Sequence, residues 1–154
     1  MRECCTGSRV AGRWRRPWRS PAAWRARVVV GRASHLTTSW FDAGPVDRIE
    51  EPGARGFEVP GMEGVPFFVV RKAGRLFAYR NRCPHTGAPL EWQPHQFLDL
   101  DNGFIQCAMH GALFRIGTGQ CVRGPCVNQS LQTLPLRVVD GRLQVDLALL
   151  AATC

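Results

Sequence analysis

Leu136-Arg137-Val138-Val139-Asp140-Gly141-Arg142-Leu143-Gln144-Val145 is the stretch from which the fold class follows. Two short apolar runs flank Asp-Gly, a strong short-range hairpin signal, because both turn residues of the tightest hairpin take positive φ. The same pattern recurs upstream. Pro66-Phe67-Phe68-Val69-Val70 and Arg75-Leu76-Phe77-Ala78-Tyr79 flank Lys72-Ala73-Gly74, which predicts a second hairpin. Phe104-Ile105-Gln106 leads as a strand into Cys107, and Ala112-Leu113-Phe114-Arg115-Ile116 is closed by Gly117-Thr118-Gly119. Short strands punctuated by turn residues, with no helix-period segment in the body, predict an all-β domain. Residues 80–103 and 117–134, rich in Pro, Gly, Asn and Gln, read as loops, and long loops in a compact domain often carry function.

A chain of 154 residues has room for one ordinary domain. Its net charge of +8 is unevenly spread. Residues 1–41 hold nine Arg and one acid, Glu3, whereas residues 42–154 hold eleven Lys+Arg and eleven acids. The basic balance therefore belongs to an extension, and the body from Asp42 onward is neutral. The extension runs through Arg13-Trp14-Arg15-Arg16-Pro17-Trp18-Arg19 without helical or strand period, and it reads as a disordered segment. Stacking on nucleic acid, membrane-surface binding and a targeting role are the alternatives for it. It has no secretory apolar core. Apolar stretches such as Val65 to Val70 and Val145 to Ala152 fall well short of the roughly 18 residues that span a bilayer.

The chemistry concentrates in two boxes, Cys83-Pro84-His85 and, after the 21 residues Thr86 to Gln106, Cys107-Ala108-Met109-His110. Each sets one thiol and one imidazole close together and is followed by a glycine, Gly87 or Gly111. Two mixed Cys/His pairs make the ligand set of a Rieske [2Fe–2S] cluster, in which one iron keeps two Cys and the other takes two His. The same four residue types can hold a structural zinc ion. However, zinc fingers usually pair Cys with Cys and His with His, whereas these boxes pair unlike ligands.

With Thr86-Gly87-Ala88-Pro89-Leu90 after the first box and Ala112-Leu113-Phe114 after the second, the sequence resembles the Rieske family, and within it the small soluble ferredoxins. The resemblance covers about residues 55–147. It implies an antiparallel β-sandwich base capped by a cluster-binding subdomain of two loops. It also implies Cys83 and Cys107 as thiolate ligands, His85 and His110 as imidazole ligands, and electrons leaving through the imidazole edges. Gly124-Pro125-Cys126 falls where the family places a proline loop over the cluster. The respiratory branch adds a disulfide between the boxes, but here those positions are Ala88 and Met109. That branch also has hydroxyl donors to sulfur after the second box, where this chain has Ala112 and Phe114. Lacking both devices, the centre is expected near the low end of the roughly −150 to +300 mV that Rieske centres span.

Plainer readings attach to the remaining candidates. Cys121 and Cys126 read as buried thiols beside the cluster loop, His95 as a loop histidine, and Trp92 as a loop anchor. Asp99, Asp101 and Asn102 read as a solvated turn. Arg80, Arg82, Arg115 and Arg123 lie near the boxes in sequence. His35 carries no role, and Cys4, Cys5 and Cys154 read as free. A cysteine set that is no disulfide framework suits a reducing, cytoplasmic setting.

The expected protein is therefore a one-electron carrier between a reductase and an acceptor such as a ring-hydroxylating oxygenase, without substrate turnover of its own. It would have no membrane span and no nucleic-acid partner. A small Rieske subunit of a larger, nitrite-reductase-like assembly is the alternative in the same chemistry. A zinc-stabilised interaction module is the alternative from another class.

Overall fold

The computed structural model describes residues 40–151. The readings on the basic extension, His35, Cys4, Cys5 and Cys154 lie outside the described residues. Among those described, ten strands pair antiparallel: β1 (Trp40–Pro45), β2 (Gly53–Phe57), β3 (Phe67–Lys72), β4 (Arg75–Arg80), β5 (Phe104–Gln106), β6 (Leu113–Arg115), β7 (Cys121–Arg123), β8 (Thr133–Leu134), β9 (Leu136–Val139) and β10 (Arg142–Asp146). They form three sheets, ordered β1-β10-β9, β2-β3-β4-β8 and β5-β6-β7. A 3-10 turn (Val46–Arg48) and a short helix α1 (Ala148–Ala151) complete the order.

Both expected hairpins are present. Asp140 and Gly141 take φ of 50° and 73° between the paired residues Val139 and Arg142. Ala73 and Gly74 take 52° and 69° between Lys72 and Arg75. Lys72, expected in that turn, belongs to the strand instead and pairs with Arg75, because two residues with positive φ suffice to reverse the chain with the right twist.

β3 explains why the sequence has an unbroken apolar run where alternation would be usual. Phe67, Phe68, Val69 and Val70 are all fully buried. Phe67 and Val69 pack with Ala43, Leu143 and Val145, whereas Phe68 and Val70 pack with Leu90, Phe97, Ile105 and Phe114. The sheet is covered on both faces, which demands apolar side chains at consecutive positions. Burying each such side chain stabilises the fold by about 1.5–3 kcal/mol. One core joins the base, and the other ties the base to the residues that follow the two boxes.

Four strands depart from the sequence reading. β1 begins at Trp40, so Trp40 and Phe41 belong to the sheet and not to the extension. They pair with Asp146 and Val145, and the Arg137 guanidinium lies 4.1 Å from the centre of the Trp40 ring. β2 was not recognised, since its two glycines disfavour a strand until β3 supplies the ladder. β7 and β8 interrupt the segment 117–134 that was read as loop. The cluster-binding subdomain is consequently more than two loops: it is built on the sheet β5-β6-β7.

Between the boxes, Leu90 and Phe97 are the anchors. Leu90 is fully buried, and the Phe97 ring stacks on Phe68 at 4.2 Å with an interplanar angle of 5°. Trp92, expected in that role, is 81% exposed and anchors nothing. One buried aromatic and one aliphatic side chain already hold the segment down.

Candidate metal centre

The two boxes fold into the same turn. Cys83 N–H donates to the Ala88 carbonyl at 2.8 Å, and Gly87 N–H donates back to the Cys83 carbonyl at 2.7 Å. Cys107 N–H donates to the Ala112 carbonyl at 2.9 Å, and Gly111 N–H returns to the Cys107 carbonyl at 2.9 Å. Closing such a turn takes positive φ at the glycine, 76° at Gly87 and 65° at Gly111. The equivalence holds although His follows Cys by two residues in one box and by three in the other.

The fold then sorts the donors by kind. Cys83 and Cys107 are each 1% exposed and face one another. His85 and His110 are exposed, their ring centres 5.1 Å apart and their planes at 75°. Boxes that pair unlike ligands along the chain thus pair like ligands in space: thiols inside, imidazoles outside. That is the division a two-iron centre with Cys₂ on one iron and His₂ on the other requires. Among the described residues, no three or more His, Cys, Asp or Glu side chains are gathered around a single point.

The sulfur environment fits a buried cationic centre. Burial first, and then the neighbouring Cys83, pushes the Cys107 thiol above its ordinary range, while backbone N–H groups at Met109 and His110 favour the thiolate. Thiolates at such depth need a metal cation to compensate their desolvation. Ala112 and Phe114, 1% and 0% exposed, share the core of both cysteines and offer sulfur no polar donor.

A third segment presses on the second box. Gly124, with φ of 111°, approaches Ala112 so closely that a Cβ would lie 2.8 Å from the Ala112 Cα. Pro125 beside it is exposed, and Cys126 is fully buried. The Cys126 thiol donates to Cys121 Sγ at 3.1 Å, and Cys121 donates to the Arg123 carbonyl at 3.3 Å. Burial and the Cys121 partner push the Cys126 thiol up to about 12. Cys121 and Cys126 are thus partnered with each other and with the Arg123 carbonyl.

Asn81 is a supporting residue that sequence reasoning missed. Only 8% exposed, it accepts from Leu90 N–H at 2.8 Å and donates to the Val65 carbonyl at 2.9 Å and to Glu91 Oε2 at 2.6 Å. It thereby pins both ends of the first box loop. The signal available was an amide between a strand end and a cysteine box.

Other candidates fall away from the centre. His95, at φ of 67°, accepts from Gly56 N–H at 3.3 Å and lines a separate cavity with Trp92 and Arg55. Asp99 caps the turn before β5, accepting from Gly103 and Phe104 N–H at 2.7 and 2.9 Å. Arg80 and Arg82 line a cavity of about 360 Å³ with Cys83, His85 and Thr86. Arg115 instead lies with Lys72 and Arg75 at the opposite end of β6.

The fold and the sorted donor set define an iron–sulfur protein. Residues 39–139 match the family model of the Rieske [2Fe-2S] domain, and the chain belongs to that family. It is 27% identical over 112 residues, 73% of this chain and 99% of the relative, to the ferredoxin component of the naphthalene 1,2-dioxygenase/salicylate 5-hydroxylase systems of a Ralstonia species. It is 31% identical over 75 residues, 49% of this chain and 67% of the relative, to the 3-phenylpropionate/cinnamic acid dioxygenase ferredoxin subunit of Photorhabdus laumondii. The solved ferredoxin of carbazole 1,9a-dioxygenase from Nocardioides aromaticivorans shares the fold at a TM-score of 0.55 and 23% identity, over 70% of this chain and 96% of that one.

Proposed function

We propose that this protein is a Rieske-type ferredoxin that carries single electrons from a reductase to an oxygenase, with Cys83, Cys107, His85 and His110 holding its [2Fe–2S] cluster. The observation that carries the reading is the pair of exposed imidazoles 5.1 Å apart over two buried, facing thiols. When bound, the cluster supplies a centre that takes up and returns one electron.

The chain's own residues divide the remaining work. Cys83 and Cys107 fix the inner side in a dry core, and the Met109 and His110 N–H groups stabilise the sulfur charge. His85 and His110 bring the outer side to the surface, where a partner can approach. The Gly124-Pro125 loop packs on Ala112 at the end of the second box. The relatives' names, ferredoxin components of dioxygenase systems, support an oxygenase as acceptor. The electron-carrying unit includes the strand Trp40–Pro45, and removing residues 1–39 is expected to leave cluster content unchanged. A cytoplasmic setting is part of this reading, supported by the relatives named as ferredoxin components.

The test is absorption spectroscopy and low-temperature EPR of anaerobically purified, dithionite-reduced protein. A red-brown sample with the rhombic, low-average-g signal of a histidine-ligated cluster is expected. A colourless sample with one zinc per chain would overturn the reading.

A further inference from the structure

The cluster end of this neutral body is strongly polarised. Between Arg80 and Val139 the chain carries only three acids, Glu91, Asp99 and Asp101. Glu91 is half-buried and bonded to Asn81, and Asp99 caps the turn before β5. Neither box nor the 117–134 segment contains an acid, whereas Arg80 and Arg82 precede the first box and Arg123 precedes Gly124. Arg80 and Arg82 line the cavity that also contains His85, and Arg80 is steadied by Gln132 Oε1 at 3.3 Å. Arg82 lies along the first box turn, its guanidinium 3.2 Å from where a Gly87 side chain would start. Arg123 on β7 pairs with Leu113, three residues beyond His110, and precedes Gly124. Among the described residues, Arg82 and Arg123 have no carboxylate partner. Met109, next to His110, and Val127, whose N–H bonds the Gly124 carbonyl, are 49% and 48% exposed and add apolar surface.

We propose that the face formed by His85, His110, Met109 and Val127, and rimmed by Arg80, Arg82 and Arg123, docks a redox protein whose own electron-exchange site is rimmed with Asp and Glu. This rests on the carrier reading, because it requires electrons to cross at the imidazoles. Apolar contact at the centre supplies adhesion, and the basic rim selects the partner's charge and speeds encounter. The sign is set by the rim and not by the body, in which the acids balance the bases. The Arg82 and Arg123 guanidinium groups also outweigh the one electron taken up on reduction.

Charged one-electron oxidants of known sign test the face without a partner in hand. Reduced full-length protein is mixed with ferricyanide, an anion, or tris(phenanthroline)cobalt(III), a cation. Each accepts one electron and returns the cluster to its oxidised state. Ionic strength is varied from about 0.01 M to about 0.3 M, which shortens the Debye length from about 30 Å to well below 10 Å. The ferricyanide rate should fall several-fold over that range and the cobalt rate should rise. Redox-inert hexacyanocobaltate(III) should compete with ferricyanide.

Arg82→Glu with Arg123→Glu, which takes the full-length protein from +8 to +4, should cut both slopes sharply and weaken the competition. Arg75→Glu with Arg137→Glu makes the same change in net charge away from this face and should leave the slopes in place. Should the reversal variant lose its cluster, Arg82→Gln with Arg123→Gln should flatten the slopes. Equal responses of the two pairs, or none at the cluster end, would overturn the proposal. A protein without iron and sulfide fails already at the carrier reading. One with a reversible centre and slopes indifferent to Arg82 and Arg123 fails at the docking face alone.

Discussion

Gly124 sits against Ala112 with no room for a methyl group: a Cβ at position 124 would stand 2.8 Å from both the Cα and the Cβ of Ala112. This contact joins the proline loop to the end of the second box, whose Cys107 N–H bonds the same alanine's carbonyl at 2.9 Å. Shifting Ala112 therefore shifts the turn that holds Cys107.

Gly124→Ala is accordingly expected to destabilise the protein by about 2–4 kcal/mol, combining a positive-φ penalty with overpacking. It should also accelerate cluster loss. Chemical denaturation and the decay of visible absorbance in the presence of chelator measure the two effects. Wild-type behaviour in both would mean that the loop yields and does not brace the box.

The ligand assignment separates four cysteines into two pairs. Cys83→Ser and His110→Ala should each purify with little iron or acid-labile sulfide. Cys121→Ser should retain both, because Cys121 and Cys126 bond to one another at 3.1 Å as thiols. Iron, sulfide and visible spectra for the three variants check this. An iron-free Cys121→Ser protein would sink the assignment.

Ala112→Ser is expected to raise the reduction potential. Ala112 is 1% exposed in the core that contains Cys83 and Cys107, and a hydroxyl there would give sulfur a donor that stabilises the reduced, more negative centre. Voltammetry of the variant beside the wild type measures the shift. An unchanged potential would mean that the new hydroxyl bonds elsewhere.

What was legible in the sequence was what is local. Asp140-Gly141 specifies its turn by its own conformational preference, and Gly74 between two apolar runs marks the other, so both hairpins could be read without the rest of the chain. The boxes were legible because metal chemistry fixes residue type and spacing together. The strands that escaped are those that tertiary contacts impose. Gly53-Ala54-Arg55-Gly56-Phe57 has little strand preference, and Gly56 is required because Val65 Cγ1 would lie 2.7 Å from any Cβ there. Trp40 and Phe41 looked like the extension they follow until β10 paired with them. At the site, chain proximity overstated Arg115, which β6 carries to its far end. Asn81 was missed because its partners Val65, Leu90 and Glu91 converge only in the fold.

The chain's single tyrosine reports on the junction between base and cluster subdomain. Tyr79 on β4 is 1% exposed, and its hydroxyl donates to the buried Ile116 carbonyl at 2.7 Å, just past β6. Burial pushes its pKa from the ordinary 10.0 up to about 12. The folded state thus holds this proton more tightly than the unfolded chain does. The stability linked to it is whole below pH 10 and is lost as pH rises through about 12. Spectrophotometric titration of the phenol should show almost no ionisation near pH 10 in the native protein and ordinary ionisation in denaturant. Tyr79→Phe should abolish that signal and, by leaving the Ile116 carbonyl unpaired, cost about 1–3 kcal/mol at neutral pH. Coincident titrations of native and denatured protein would mean that the phenol is open to water and that the two subdomains are not joined there.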